Sequence, residues 1–164
     1  MKSLALILAL AAAAAPAAAS ASYATASGAV APAITLPTAS GGEFSLAAVR
    51  GRPVYLNFFA TWCGPCNAEA SGLEALALKY RDTDLAFAGI DVQENATRAE
   101  AFAQRHGLTY PIALDASGNV SSAYSLYATP THVFIDREGR VVHVVVGYLD
   151  ESRLDAYLQE LVRS

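Results

Sequence analysis

The chain holds two cysteines in 164 residues, and they stand together in Trp62-Cys63-Gly64-Pro65-Cys66. Upstream, Val54-Tyr55-Leu56-Asn57-Phe58-Phe59-Ala60 is an apolar run that predicts a buried strand. Downstream, Ala70, Leu73, Leu76, Ala77 and Tyr80 recur at helical spacing. The pair therefore sits at a strand-to-helix junction, with Pro65 in the first turn, where a missing N–H costs nothing. Free backbone N–H groups and the helix dipole there favour a thiolate on Cys63, which should be the exposed nucleophile. Cys66, one turn in and less exposed, is placed to attack a mixed disulfide formed on Cys63. Half a zinc site is the competing chemistry. It lacks ligands, since only His106, His132 and His143 remain and none has paired spacing.

The rest of the chain must position this pair. Residues 1–21 have the form of a signal peptide: Lys2, an apolar core from Leu4 to Leu10, and Ala19-Ser20-Ala21 as an A-x-A cleavage site. An uncleaved anchor is the alternative, but the apolar run to Ala19 falls short of the roughly 20 residues of a membrane span. Cleavage removes Lys2 and leaves 10 basic against 15 acidic residues, a net charge of −5. With no basic cluster, nothing supports a nucleic-acid partner. Work outside the cytoplasm, in a periplasm or beyond, is where a disulfide persists. Residues 22–33 read as a flexible tether, and 34–164 as one domain with no internal repeat.

Within that domain, Pro37 limits residues 34–37 to an edge strand, and Gly41-Gly42 makes a turn. Residues 85–92 form a second buried strand, and Thr97-Arg98-Ala99-Glu100 has the pattern of a capping box opening the next helix. A short extended piece at 110–114 and a helical stretch at 121–127 follow. The runs 131–135 and 141–146 flank the turn Asp136-Arg137-Glu138-Gly139 and predict a hairpin. Asp150 caps a last amphipathic helix bearing Leu154, Leu158 and Leu161. This order predicts an α/β fold, a mixed central sheet with helices on both faces.

Motif and order together resemble a thioredoxin fold. More narrowly, Phe44-Ser45-Leu46, Asn57-Phe58-Phe59-Ala60-Thr61-Trp62-Cys63, Thr129-Pro130-Thr131 and Phe134-Ile135-Asp136 resemble the TlpA/ResA-like thiol–disulfide reductases. The resemblance implies an exported reductant of protein disulfides, often in cytochrome c biogenesis. Such a protein needs no cofactor beyond its dithiol. Its partners are a disulfide-bearing protein substrate and a membrane-bound thiol electron donor, and a monomer is expected. Pro130 matches the family's cis-proline, with Thr129 offering backbone to substrate and Trp62 a docking face. Asn57 departs from cytoplasmic thioredoxin, which has a buried aspartate there. The family suggests Glu69, three residues after Cys66 and on its face, and Glu94 as replacements in proton transfer. Tyr110 and Tyr124 read as packing.

Three other readings remain. A thiol oxidase shares the chemistry and reverses the electron flow. A peroxiredoxin places threonine three residues before its cysteine, whereas Thr61 lies two before Cys63. A copper chaperone would use Cys63, Cys66 and His132, a donor set soft enough for Cu(I), although His132 is expected as a satisfied core residue.

Overall fold

The computed structural model describes residues 27–164. The expected leader and the first five residues of the expected tether, 22–26, lie outside them. A five-stranded mixed sheet runs in the order β5-β4-β3-β6-β7. Its strands are β3 (Val54–Phe59), β4 (Ala86–Val92), β5 (Ile112–Asp115), β6 (Thr131–Ile135) and β7 (Val141–Val146). β3, β4 and β5 are parallel, and β6 and β7 each run antiparallel to their inner neighbour. A two-stranded ribbon, β1 (Thr35–Pro37) with β2 (Glu43–Ser45), bridges to the β5 edge through Thr38 and Ala113.

All six residues of β3 are buried because both faces of the sheet are covered. Tyr55 and Phe59 face a cluster with Cys66, Ala70, Leu73, Phe102, Leu154 and Leu158. These come from α1 (Gly64–Tyr80), α2 (Ala96–His106) and α4 (Glu151–Arg163). Leu56 and Phe58 face the opposite cluster with Ile34, Phe44, Ile90 and Tyr124. The one-residue alternation of a strand thus divides the core into two halves. Tyr110 and Tyr124 pack within these clusters, and the Tyr124 hydroxyl donates to the Pro32 carbonyl.

Several boundaries differ from the expectation. The cap of α2 is Asn95, whose side chain accepts from the Arg98 N–H, so the helix opens before Thr97. An amide oxygen at the N-cap accepts from the N–H three residues on just as a hydroxyl would, so the same cap forms two residues earlier. The helix expected at 121–127 is α3 (Asn119–Ala123), shifted upstream. Buried Asp115 draws it there by accepting from the backbone N–H groups of Val120 and Ser121 and from the Ser121 hydroxyl. The last part of the expected tether is docked. Gly28 N donates to Val141 O, Val141 N to Ala29 O and Ala31 N to Gly139 O, continuing the sheet past β7. An otherwise open edge explains the pairing, since unpaired strand groups recruit neighbouring backbone.

Candidate active site

Cys63 is the N-cap of α1, and its sulfur accepts from the Cys66 N–H at 3.3 Å. The two sulfurs form a disulfide, with Cα atoms 5.3 Å apart. In this oxidised state Cys63 is only 5% exposed, against 2% for Cys66. The expected order of exposure holds, but Cys63 is not the open thiol anticipated. Its sulfur lies 3.5 Å from the Thr129 carbonyl oxygen. A disulfide sulfur has no proton to give, so this is close approach. The reduced thiol would have an acceptor there. The Thr129–Pro130 bond is cis, and the Gly147 N–H donates to the Pro130 carbonyl at 2.8 Å. Asn67, one residue after Cys66, donates to the carbonyls of Thr61 and Cys63 and ties the motif loop to the helix.

Glu69 is buried below the motif, one turn after Cys66 on the same helix face. Its Oε1 accepts from Asn57 Nδ2 at 3.0 Å, and its Oε2 lies 3.4 Å from the Leu149 N–H. His132, fully buried on β6 and paired in register with Asn57, brings Nε2 to 3.5 Å from the same Oε2. Antiparallel pairing puts directly opposed residues on one face, so the β3–β6 register makes this meeting. Nδ1 of His132 lies 2.7 Å from the Tyr55 hydroxyl and Nε2 lies 3.1 Å from the Gly147 carbonyl. Both ring nitrogens are engaged, as expected for a core histidine, and neither is free to join the sulfurs on a copper ion. Among the described residues no three His, Cys, Asp or Glu side chains cluster as metal ligands.

Glu94 lies on the other side of the motif. Its carboxylate accepts from the Thr61 N–H at 2.5 Å and from the Thr61 hydroxyl at 2.8 Å, two residues before Cys63. Burial raises its pKa, but the two Thr61 donors, then the neighbouring Asp91 carboxyl and Arg98, outweigh that and hold the carboxyl below its ordinary range. Its immediate work is to hold the loop that carries Trp62. Asp91, at the end of β4, is the residue that sequence reasoning passed over. It is fully buried, and neither carboxylate oxygen has a hydrogen-bond partner. Burial first, then the negative charge of Glu94, whose carboxylate lies near enough to draw the Asp91 proton, pushes it up to about 8. The only signal in the chain was an acidic residue inside an apolar strand, Ile90-Asp91-Val92.

Beside the disulfide runs a groove of about 410 Å³ lined by Trp62, Val92, Leu126, Tyr127, Thr129 and neighbours, with no charged side chain. Trp62 is 73% exposed and Tyr127 91%. Trp62 thus stands out into solvent at the mouth of the groove. A second hollow of about 370 Å³, between the Leu46–Val49 turn and residues 135–139, lies at the far end of β3 and contains none of these residues. The structure therefore gathers Trp62, Cys63, Cys66, Thr129 and Pro130 at one surface. Glu69 stands behind Cys66, and Glu94 behind the loop.

Comparison with known proteins agrees with this geometry. The Redoxin family matches residues 26–158. The thiol-disulfide oxidoreductase ResA of Geobacillus kaustophilus is 33% identical over 136 residues, covering 83% of this chain and 78% of that protein. ResA of Bacillus subtilis is 30% identical, covering 81% and 74%. Among solved structures, a thioredoxin family thiol:disulfide interchange protein from Chlorobium tepidum superposes with a TM-score of 0.76 at 27% identity, covering 84% and 98%. A secreted Mycobacterium tuberculosis disulfide oxidoreductase homologous to Escherichia coli DsbE gives 0.72 at 27%, covering 78% and 96%.

Proposed function

This chain belongs to the Redoxin family and is a thiol–disulfide oxidoreductase of the thioredoxin superfamily, and from that premise we propose that it works as an exported reductant of protein disulfides. The observation that carries the direction is the charge around the sulfurs. Cys63 has one N–H donor on its sulfur, and the ionisable group buried behind Cys66 is the carboxylate of Glu69. Strong oxidants of this chemistry owe their potential to a reduced form stabilised as thiolate. A buried negative charge works against that stabilisation.

In the reaction, the thiolate of Cys63 attacks a substrate disulfide, forming a mixed disulfide and releasing one substrate thiol. Cys66 gives its proton to Glu69, and its sulfur attacks Cys63. The bond between Cys63 and the substrate sulfur breaks, and the second substrate thiol leaves after taking a proton from water. The dithiol loses two electrons and the substrate disulfide gains them. Substrate backbone lies along Thr129 at the cis-Pro130 turn, with an apolar side chain in the groove between Trp62 and Tyr127. An uncharged groove suits an unfolded segment bearing paired cysteines, such as an apocytochrome presents. A membrane-bound thiol donor recharges the pair, with the leader delivering the chain outside the cytoplasm. Among the described residues no helix is long and apolar enough to cross a membrane.

The test is the equilibrium potential of the Cys63–Cys66 couple against glutathione. A value near −270 mV or lower supports reduction, and one near −120 mV overturns it, each 30 mV amounting to about 1.4 kcal/mol. In parallel, Cys66→Ser should trap mixed disulfides with substrate while Cys63→Ser should not.

A further inference from the structure

We propose that His132 is a positioning residue for Glu69, with its tautomer set by the Gly147 carbonyl. The inference rests on Glu69 being the acceptor of the Cys66 proton, as argued above. It starts from the Tyr55 hydroxyl, 2.7 Å from His132 Nδ1. Burial, and after it the negative charge of Glu69, holds that hydroxyl well above the ordinary phenol range, so Tyr55 keeps its proton. A neutral imidazole accepts on one nitrogen and donates on the other. The Gly147 carbonyl can only accept, so Nε2 carries the hydrogen and Nδ1 accepts from the Tyr55 hydroxyl.

That N–H faces two acceptors, the Gly147 carbonyl at 3.1 Å and Glu69 Oε2 at 3.5 Å. Glu69 thus accepts from Asn57 on Oε1 and from the Leu149 N–H on Oε2, while the His132 ring, bonded to Gly147, stands 3.5 Å from Oε2 and closes the third side. These three groups meet the carboxylate from the sheet and the loop after β7, which leaves it anchored on α1 one turn from Cys66. Gly147 adds a second connection. Its carbonyl faces His132 while its N–H donates to Pro130. When Cys66 transfers its proton, Glu69 becomes neutral while His132 stays bonded to Gly147. The carboxyl then gives its proton up along the cleft of about 220 Å³ that it lines with Gly72, Tyr148 and Glu151.

A kinetic split tests the assignment. Reduced protein is mixed with an aromatic disulfide whose thiol absorbs visible light. The first equivalent of thiol reports attack by Cys63, and the second reports resolution by Cys66. His132→Leu should slow the second phase about tenfold, the order of loss expected when a reacting group is displaced by a fraction of an ångström, and leave the first within twofold. In a Glu69→Gln background the same substitution should change neither phase by more than twofold. Equal slowing of both phases, or the same tenfold loss without Glu69, would overturn the proposal. A second measurement needs no variant. Nitrogen NMR of the oxidised protein should show the His132 proton on Nε2, and a proton on Nδ1 instead would refute the tautomer. The reading beneath fails differently. If Cys66→Ser traps no protein disulfide, the reductase assignment falls. If trapping is normal but the split is absent, only the role of His132 falls.

Discussion

Asp91→Asn should stabilise the oxidised protein at pH 8 and leave it unchanged at pH 4. The carboxyl sits in the sheet, fully buried and without a hydrogen-bond partner, raised from an ordinary 3.8 to about 8. Between those values the folded chain holds a proton that the unfolded chain releases. Stability therefore falls as pH rises from about 4 to about 8, the reverse of an ion-paired aspartate. At 1.36 kcal/mol per pH unit, the gap corresponds to an upper bound of roughly 6 kcal/mol. Water entry and local relaxation reduce such penalties, and about 2–3 kcal/mol is the working figure. Asparagine removes the ionisation and keeps the shape, and at pH 4 it replaces a group that is already neutral. Thermal unfolding from pH 4 to 8 should show the variant's advantage opening from zero to about 5–10 °C. The same gain at both ends, or none at pH 8, would refute the reasoning, since it would mean that Asp91 finds a partner or solvent on ionising.

Glu94→Gln should lower stability by about 1–2 kcal/mol at pH 7, through weaker bonds from Thr61. Because its folded carboxyl lies below the ordinary 4.5, the contribution is present above that pH and lost as pH falls through the folded value. Denaturant titrations at pH 7 and pH 3 should show the gap closing, and a gap independent of pH would count against an ionised clamp. Gly72→Ala, in the interior of α1, should raise the denaturation midpoint by roughly 0.5–1 kcal/mol of stability. A methyl there meets only Glu151 atoms at 3.8 and 3.9 Å, so a loss would show that Glu151 cannot yield.

The redox pair was legible because its signal is local. Cys63 and Cys66 lie three apart at a junction marked by an apolar run, Pro65 and helical spacing, and chain connectivity alone brings their sulfurs together. The strands from Val54 onward were legible for the same reason, as runs of buried residues in sequence order. Even the cap at Asp150 needed only its own turn, where the side chain accepts from the Arg153 N–H. The cap of α2 was harder, because Asn95 and Thr97 offer equivalent acceptors and packing of Ala99 and Phe102 chooses between starts.

What only tertiary structure decided is which distant polar groups share the interior. Glu69 as a candidate came from its spacing to Cys66 and from resemblance, but its partners did not. Asn57, Tyr55 and His132 come from two strands paired antiparallel, and a slip of one residue in that register would turn His132 to the opposite core. Asp91 likewise read as part of a strand, and its solitude depends on what Phe59, α2 and the loop of Glu94 leave around it. Sequence spacing reports neighbours along a chain. Desolvation and partnership are set by atoms from elsewhere, and these decide whether a carboxylate clamps a loop, accepts a proton or keeps its own.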